Sequence, residues 1–198
     1  MRKQLIVLAA LGIMLGAVRS LAATEEAPAW SFDPPHCSVM FFVRHIFADV
    51  PGRFAVYDGL VRFDPDNLAG SVMDVRVDLA SVDTGVAKRD EHLRSPDFFD
   101  AAKYPSMRFV SREIVQTGPG RYAARGDLTI KDVTRPVDIP FEYLGAAPSP
   151  MEKGRTVAGF RARFAVNMLD YGVSDGRFQK MGVLGDRVDI LLNLEMLR

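Results

Sequence analysis

Apolar and polar residues alternate along much of this chain. Val39, Phe41 and Val43 fall on one face, and His45 continues it. Val61 and Phe63 alternate before a turn at Asp64-Pro65-Asp66-Asn67. Met73, Val75, Val77 and Leu79 are separated by Asp74, Arg76 and Asp78. The pattern returns at Met107 and Phe109, at Leu128 and Ile130, and at Val137, Ile139 and Phe141. It returns again at Phe160, Ala162, Phe164 and Val166, and finally at Val188, Ile190, Leu192 and Leu194. A period of two turns one row of side chains to the core and the next to water. With turn residues between most runs, this predicts an all-β, antiparallel meander of about eight strands. Eight strands can close into a barrel and remove their exposed edges. The interior is then either filled by side chains or left to hold one small ligand.

The stretch from Thr84 to Pro105 breaks the alternation. Gly85 to Leu93 is rich in Lys, Arg, Asp and Glu and suits a short surface helix, with Val86 and Leu93 as inward anchors. Ser95-Pro96 reads as an N-cap followed by proline at the first helical position. Phe98 and Phe99 would open a second helical turn that Tyr104-Pro105 stops. A short helical insert between two strands is therefore expected, lying over one end of the barrel.

The N-terminus has a different character. Arg2 and Lys3 precede an uncharged, almost wholly apolar run from Leu5 to Val18, and Ser20-Leu21-Ala22 follows. The run is short for a membrane span, which needs about 20 residues. Basic start, apolar run and small residues are the three parts of a secretory signal peptide, with cleavage expected after Ala22 or Ala23. The expected organisation is a signal peptide at 1–22 and one barrel domain at 23–198. About 175 residues remain after cleavage, enough for one domain with its own core.

Charge removes one class of partner. The chain of 198 residues has 25 Lys and Arg against 25 Asp and Glu. Losing Arg2, Lys3 and Arg19 leaves it mildly acidic, with no basic excess for nucleic acid. No second long apolar segment follows, so no stable membrane span is expected after cleavage. Cys37 is the lone cysteine and cannot form an internal disulfide. It is expected as a buried, inert residue on a strand.

Several segments carry a resemblance. Asp33 to His45 reads D-P-P-H-C-S-V-M-F-F-V-R-H, and Asp83 to Leu93 reads D-T-G-V-A-K-R-D-E-H-L. Ser95 to Pro105 reads S-P-D-F-F-D-A-A-K-Y-P, and Gly126 to Val137 reads G-D-L-T-I-K-D-V-T-R-P-V. Ala158-Gly159-Phe160 and Asp170-Tyr171-Gly172 come later. From Trp30 to Glu195 the chain resembles the YceI-like family of bacterial periplasmic lipid-binding proteins. The resemblance implies a lipocalin-like, eight-stranded barrel with an elongated apolar cavity, working in the periplasm. It also implies a long-chain isoprenoid, an isoprenoid quinone or a fatty-acid derivative as ligand, and makes a homodimer plausible. Two positions depart from the family pattern. Met168 stands where an Arg is usual, and Cys37 where Ser is more common.

The candidate ligand-binding residues are Phe41, Val43, His45, Phe63, Val75, Val77, Arg89, Phe109, Phe160 and Phe164. The apolar ones rest on alternation together with the resemblance. His45 would hydrogen-bond near the barrel mouth. Arg89 could greet a polar headgroup with paired hydrogen bonds, or pin the insert to the barrel together with Asp90. His36, His45 and His92 show no metal-binding spacing, so no metal, cofactor or catalytic residue is expected. An enzyme acting on an isoprenoid or quinone lipid is the alternative, with Ser38 and His36, two apart, the nearest thing to a nucleophile and base. An outer-membrane barrel ranks last, because charges are dense on the alternate positions and the chain ends in Leu197-Arg198.

Overall fold

The computed structural model describes residues 25–198. The expected signal peptide at 1–22 lies outside the described residues. Eleven strand segments form one antiparallel sheet. They are β1 (Ala29–Phe32), β2 (Ser38–His45), β3 (Ala48–Phe54), β4 (Tyr57–Arg62), β5 (Val72–Asp78) and β6 (Val82–Asp83). Then come β7 (Ser106–Gly118), β8 (Arg121–Ile130), β9 (Val133–Pro148), β10 (Thr156–Asn167) and β11 (Leu184–Leu197).

Three long strands are each broken in two. Between β1 and β2 lies a 3-10 turn, Pro34–His36, whose two prolines lack the N–H a ladder needs. Ala55 and Val56 separate β3 from β4. Between β5 and β6, Asp78 accepts from Ala80 N at 2.7 Å and caps a second such turn. With each broken pair counted once, the fold is a closed eight-stranded antiparallel barrel in chain order. Its seam closes where β11 pairs with both halves of the first strand, Phe32 opposite Met196 and Phe41 opposite Ile190. The alternation predicted this meander. It did not predict β1, which is short, or β3, which contains Pro51 and Gly52. Pro51 is tolerated because β3's outer edge pairs with β6 only at Arg53 and Phe54.

The barrel is pinched at one end. Phe63, 1 % exposed, meets Tyr122, Phe141 and Phe160 edge-on at centroid distances of 5.1, 5.5 and 5.6 Å. Tyr143 packs on it at 5.2 Å. Trp30 closes this floor, its indole N–H donating to Phe63 O at 2.9 Å. Edge-to-face packing of this kind adds to plain apolar burial.

Two helical segments cover the other end. The expected helix is α1 (Ala87–Arg94), and a second one-turn helix, α2 (Arg177–Lys180), lies between β10 and β11. Two details of the insert differ from expectation. Val86 is 47 % exposed rather than an anchor, because the chain at the N-cap is extended and turns it outward. Residues 96–99 and 101–103 form turns rather than a second helix, and Asp100 takes a positive φ of 49° between them. Leu93, Phe98 and Phe99 do face inward, against the core. The ring of Phe98 stacks on Phe178 of α2 at 5.8 Å, so the two segments form one cover. Lys131 staples that cover down, donating to Phe98 O at 3.0 Å and to Gly172 O at 2.8 Å.

Candidate ligand-binding cavity

Between floor and cover the interior is hollow. An upper cavity of about 300 Å³ lies under α1 and α2, and a lower one of about 170 Å³ rests above the aromatic floor. The upper cavity alone reaches the low end of the range for small-molecule sites, roughly 300–1,000 Å³. Val39, Met107, Ile130 and Ile190 line both, so the two cavities are stacked one on the other and share these four side chains. On β11 the lining runs from Leu184 through Val188, Ile190, Leu192 and Leu194 to Met196. A register shift between Leu184 and Val188 takes up two of these residues, so at about 3.3 Å per residue the lining covers roughly 33 Å of strand. A strand tilt near 40° brings it to about 25 Å along the barrel axis.

The structure distributes the candidate residues by depth. Phe41, Val43, His45 and Arg89 line the upper cavity. Val75, Val77, Phe109, Phe160 and Phe164 line the lower one. Phe63 lines neither and is corrected from lining to floor. Its alternation with Val61 turned it inward as expected, but at that level four aromatic rings fill the space. The lower cavity is walled by apolar side chains, save Tyr57, Arg108 and Arg161. The two arginines belong to the outward rows, where Arg108 Nε donates to Asp74 at 2.7 Å and Arg161 pairs with Glu142.

Polar groups gather at the upper end. His45, Thr84, Arg89 and His92 line the cavity there, and His45 and His92 are exposed, so the cavity opens to water at this rim. His45 makes no side-chain hydrogen bond among the described residues, contrary to expectation; it is the last residue of β2 and stands in solvent. Arg89 donates from Nε to Thr84 Oγ1 at 2.7 Å and from Nη2 to Thr84 O at 2.8 Å. Buried Asp90 accepts from Thr84 N at 2.8 Å and from Thr84 Oγ1 at 2.5 Å. Thr84 is thus the hub that pins α1, and Arg89 and Asp90 meet through it rather than as a direct ion pair.

A second clasp ties α1 to α2. Asp97 binds His92 Nε2 at 2.9 Å and also accepts from Arg177. The His92 hydrogen bond first, then the Arg177 charge, holds the Asp97 carboxyl below its ordinary value of 3.8. A depressed carboxylate keeps its contribution above the unfolded value and loses it as pH falls through the folded one. Limited proteolysis of residues 84–105 should therefore find the cover protected at pH 5 and progressively opened as the pH falls below 3.8. Protection that stays level down to the pH at which the barrel itself unfolds would mean that Asp97 holds nothing down.

Sequence reasoning missed Val173 and Phe178 as lining residues of the upper cavity, and singled out Met168 only as a departure from the family pattern; all three line it. Met168 is buried, with Gln179 Nε2 3.4 Å from its sulfur. At this position the chain presents an apolar wall. The D-Y-G segment beside it was the available signal.

The proposed Ser38 and His36 pairing does not form. His36 lies in the 3-10 turn, its Nδ1 2.8 Å from Asp33, and this hydrogen bond raises its pKa. Glu195 Oε1 is 4.0 Å away, so a carboxylate from β11 joins a pair that spacing alone did not connect. The three ligand atoms lie within 4.8 Å of one another on the outer surface. The raised histidine pKa favours its proton over a cation there. Cys37 is half-buried in the link before β2 rather than on a strand, with Sγ 3.0 Å from Glu195 O. Burial pushes its thiol up, and burial followed by the Cys37 neighbour pushes Tyr57 up to about 12. A thiol with a raised pKa is a poor nucleophile. Cys37→Ser should leave ligand retention within about twofold of the parent in an extraction assay, the loss of one weak S–H donor being all that changes. A large loss would point to thiol chemistry.

A closed barrel with two stacked apolar cavities, an aromatic floor and a polar rim defines a small-molecule-holding β-barrel. The YceI-like domain matches residues 30–196, and this chain belongs to that family. A UPF0312 protein of Vibrio cholerae is 36% identical over 188 residues, covering 93% of this chain and 95% of its own. A UPF0312 protein of Photorhabdus laumondii is 33% identical over 191 residues, covering 95% and 96%. Among solved structures, Burkholderia cenocepacia BcnA superimposes with a TM-score of 0.75 at 24% identity, covering 83% of this chain and 98% of its own. The Campylobacter jejuni YCEI protein gives 0.63 at 28% identity, covering 77% and 85%. A polyisoprenoid binding domain from Saccharophagus degradans shares the fold at a TM-score of 0.63 and 15% identity, covering 85% and 97%.

Proposed function

We propose that this protein holds one long-chain lipid, an isoprenoid, isoprenoid quinone or fatty-acid derivative, in its barrel, as a periplasmic carrier exported by residues 1–22. The two stacked apolar cavities carry this reading. An apolar-lined interior about 25 Å deep suits an extended chain better than a compact ring system. Burial contributes about 0.8 kcal/mol per methylene, so affinity grows with chain length and needs no special chemistry. Family membership and the fold shared with a polyisoprenoid binding domain support the same ligand class. Binding is favoured over catalysis because the lower cavity is lined by no carboxylate, histidine or thiol and its one phenol, Tyr57, is pushed up to about 12, while Thr84, Arg89 and His92 of the rim are engaged in holding the cover.

Mass spectrometry of an organic extract of the purified protein is the test. A stoichiometric isoprenoid, quinone or acyl lipid is the expected result. Extracts that stay empty, with no uptake of added prenol or fatty acid, would refute the carrier reading.

A further inference from the structure

The rim of the tunnel carries side chains that belong in neither core nor water. Ile46 and Phe47 form the two-residue turn between β2 and β3, directly after His45 of the cavity rim. Phe47 is 93% exposed and Ile46 48%. Ile46 also takes a positive φ of 54°, a conformation a β-branched side chain adopts only under strain. Its N–H is held by Val183 O at 3.0 Å, which fixes this turn beside the loop carrying Met181, itself 70% exposed. Val86, at the start of α1, is exposed on the cover at the same end. None of Ile46, Phe47, Val86 or Met181 lines the tunnel. They stand around its opening.

We propose that this rim docks the protein on a lipid bilayer, with Phe47, Ile46 and Met181 inserted between headgroups so that the tunnel opens onto the acyl layer. The inference rests on the lipid-carrier reading and adds where the cargo enters and leaves. Two observations select a bilayer over another protein. The side chains protrude as separate tips on a turn and a loop, the shape of a shallow insertion rather than of a flat interface. Even fully buried they fall well short of the roughly 800 Å² per partner of a stable protein contact. Charge is balanced at this end: Asp49 is paired with Arg44, Asp97 and Asp175 with Arg177, while Lys88 and Lys180, and the exposed acids Glu91, Asp170 and Asp186, make no ion pair among the described residues. Lys88 and Lys180 are the side chains this end offers to anionic headgroups.

Flotation with vesicles of phosphatidylethanolamine and phosphatidylglycerol tests this on the exported protein, every variant prepared with the same N-terminus and without the apolar run of residues 5–18. The Phe47→Asp, Met181→Asp double variant should lose at least tenfold in vesicle partitioning and pass its cargo to acceptor vesicles at least tenfold more slowly. Its lipid content by extraction should match the parent. Met151→Asp, in the exposed β9–β10 loop at the floor end, should behave as the parent. Parent-like partitioning of the double variant overturns the docking surface. So does a parent dimer in light scattering that Phe47→Asp dissolves, since the rim would then be a contact between copies. Loss of lipid content from the parent itself would strike the carrier reading instead, and leave vesicle partitioning to be judged alone.

Discussion

Phe109→Arg should abolish lipid retention while leaving a folded barrel. Phe109 lies opposite Val75 on β5 and Leu128 on β8, in the wall of the lower cavity. A guanidinium there would meet apolar side chains and no inward carboxylate. An unpaired charge is costly in such surroundings, and the Arg side chain escapes that cost only by reaching up the tunnel toward the rim. Either way it occupies the space of the ligand's far end. Displacing four methylenes costs about 3 kcal/mol, roughly two orders of magnitude in affinity. Phe41→Arg makes the same test nearer the rim, where water can reach the charge and folding is less at risk. Far-ultraviolet circular dichroism would establish that each variant is folded, and extraction would count the lipid. Full occupancy in both folded variants would mean that the ligand lies elsewhere.

The contrast between these two positions shows how much the sequence reveals. A strand's period-two pattern reports which way a side chain points, and here it did so well: Val39, Phe41, Val43, Val75, Val77, Phe160, Phe164 and Ile190 all face the interior. It cannot report height along the barrel axis. Phe63 and Phe109 have the same pattern, yet one plugs the floor and the other walls the cavity. Height depends on strand register, which is fixed by pairing across the closed barrel and leaves no trace in any single strand. The broken strands were hidden for a related reason. Pro34-Pro35 and Leu79 to Ser81 look like strand endings, but the ladder resumes beyond them once neighbours on both sides hold the chain, and Pro51 looks like one too yet lies within β3, opposite Phe42.

The rim was read least well where its contacts are long-range and polar. The quoted D-T-G-V-A-K-R-D-E-H-L segment held Thr84 together with its partners Arg89 and Asp90. The S-P-D-F-F segment held Asp97 and Phe98, but two of their partners came from segments remote in sequence: Arg177, which meets Asp97, and Lys131, which meets both Phe98 and Gly172. α2, a single turn of four residues, is too short for any periodicity to reveal. Of the rim hydrophobics, Phe47 continues the period of Val39, Phe41, Val43 and His45. Only its place in a tight turn exposes it.

Phe63→Ala should be the most destabilising single change in the barrel, and should spare the ligand's headgroup end. Phe63 is held by four aromatic rings, and its own carbonyl receives the Trp30 indole N–H, so the floor is built around it. Truncating such a side chain removes its transfer free energy and leaves a void that rigid neighbouring rings cannot collapse to fill. A loss of about 3–5 kcal/mol is expected. For a domain of this size that lowers the melting temperature by roughly 10 °C. The void also lies directly beneath the lower cavity, which Phe141 and Phe160 wall from above. The tunnel would then lengthen, and a variant that survives should accept longer chains than the parent. Thermal unfolding and the chain-length distribution of extracted lipid measure the two effects separately. A destabilised variant with unchanged chain preference would leave Phe63 a packing residue alone. An unchanged melting temperature would mean that the floor repacks freely, and that the aromatic cluster does not set the tunnel's depth.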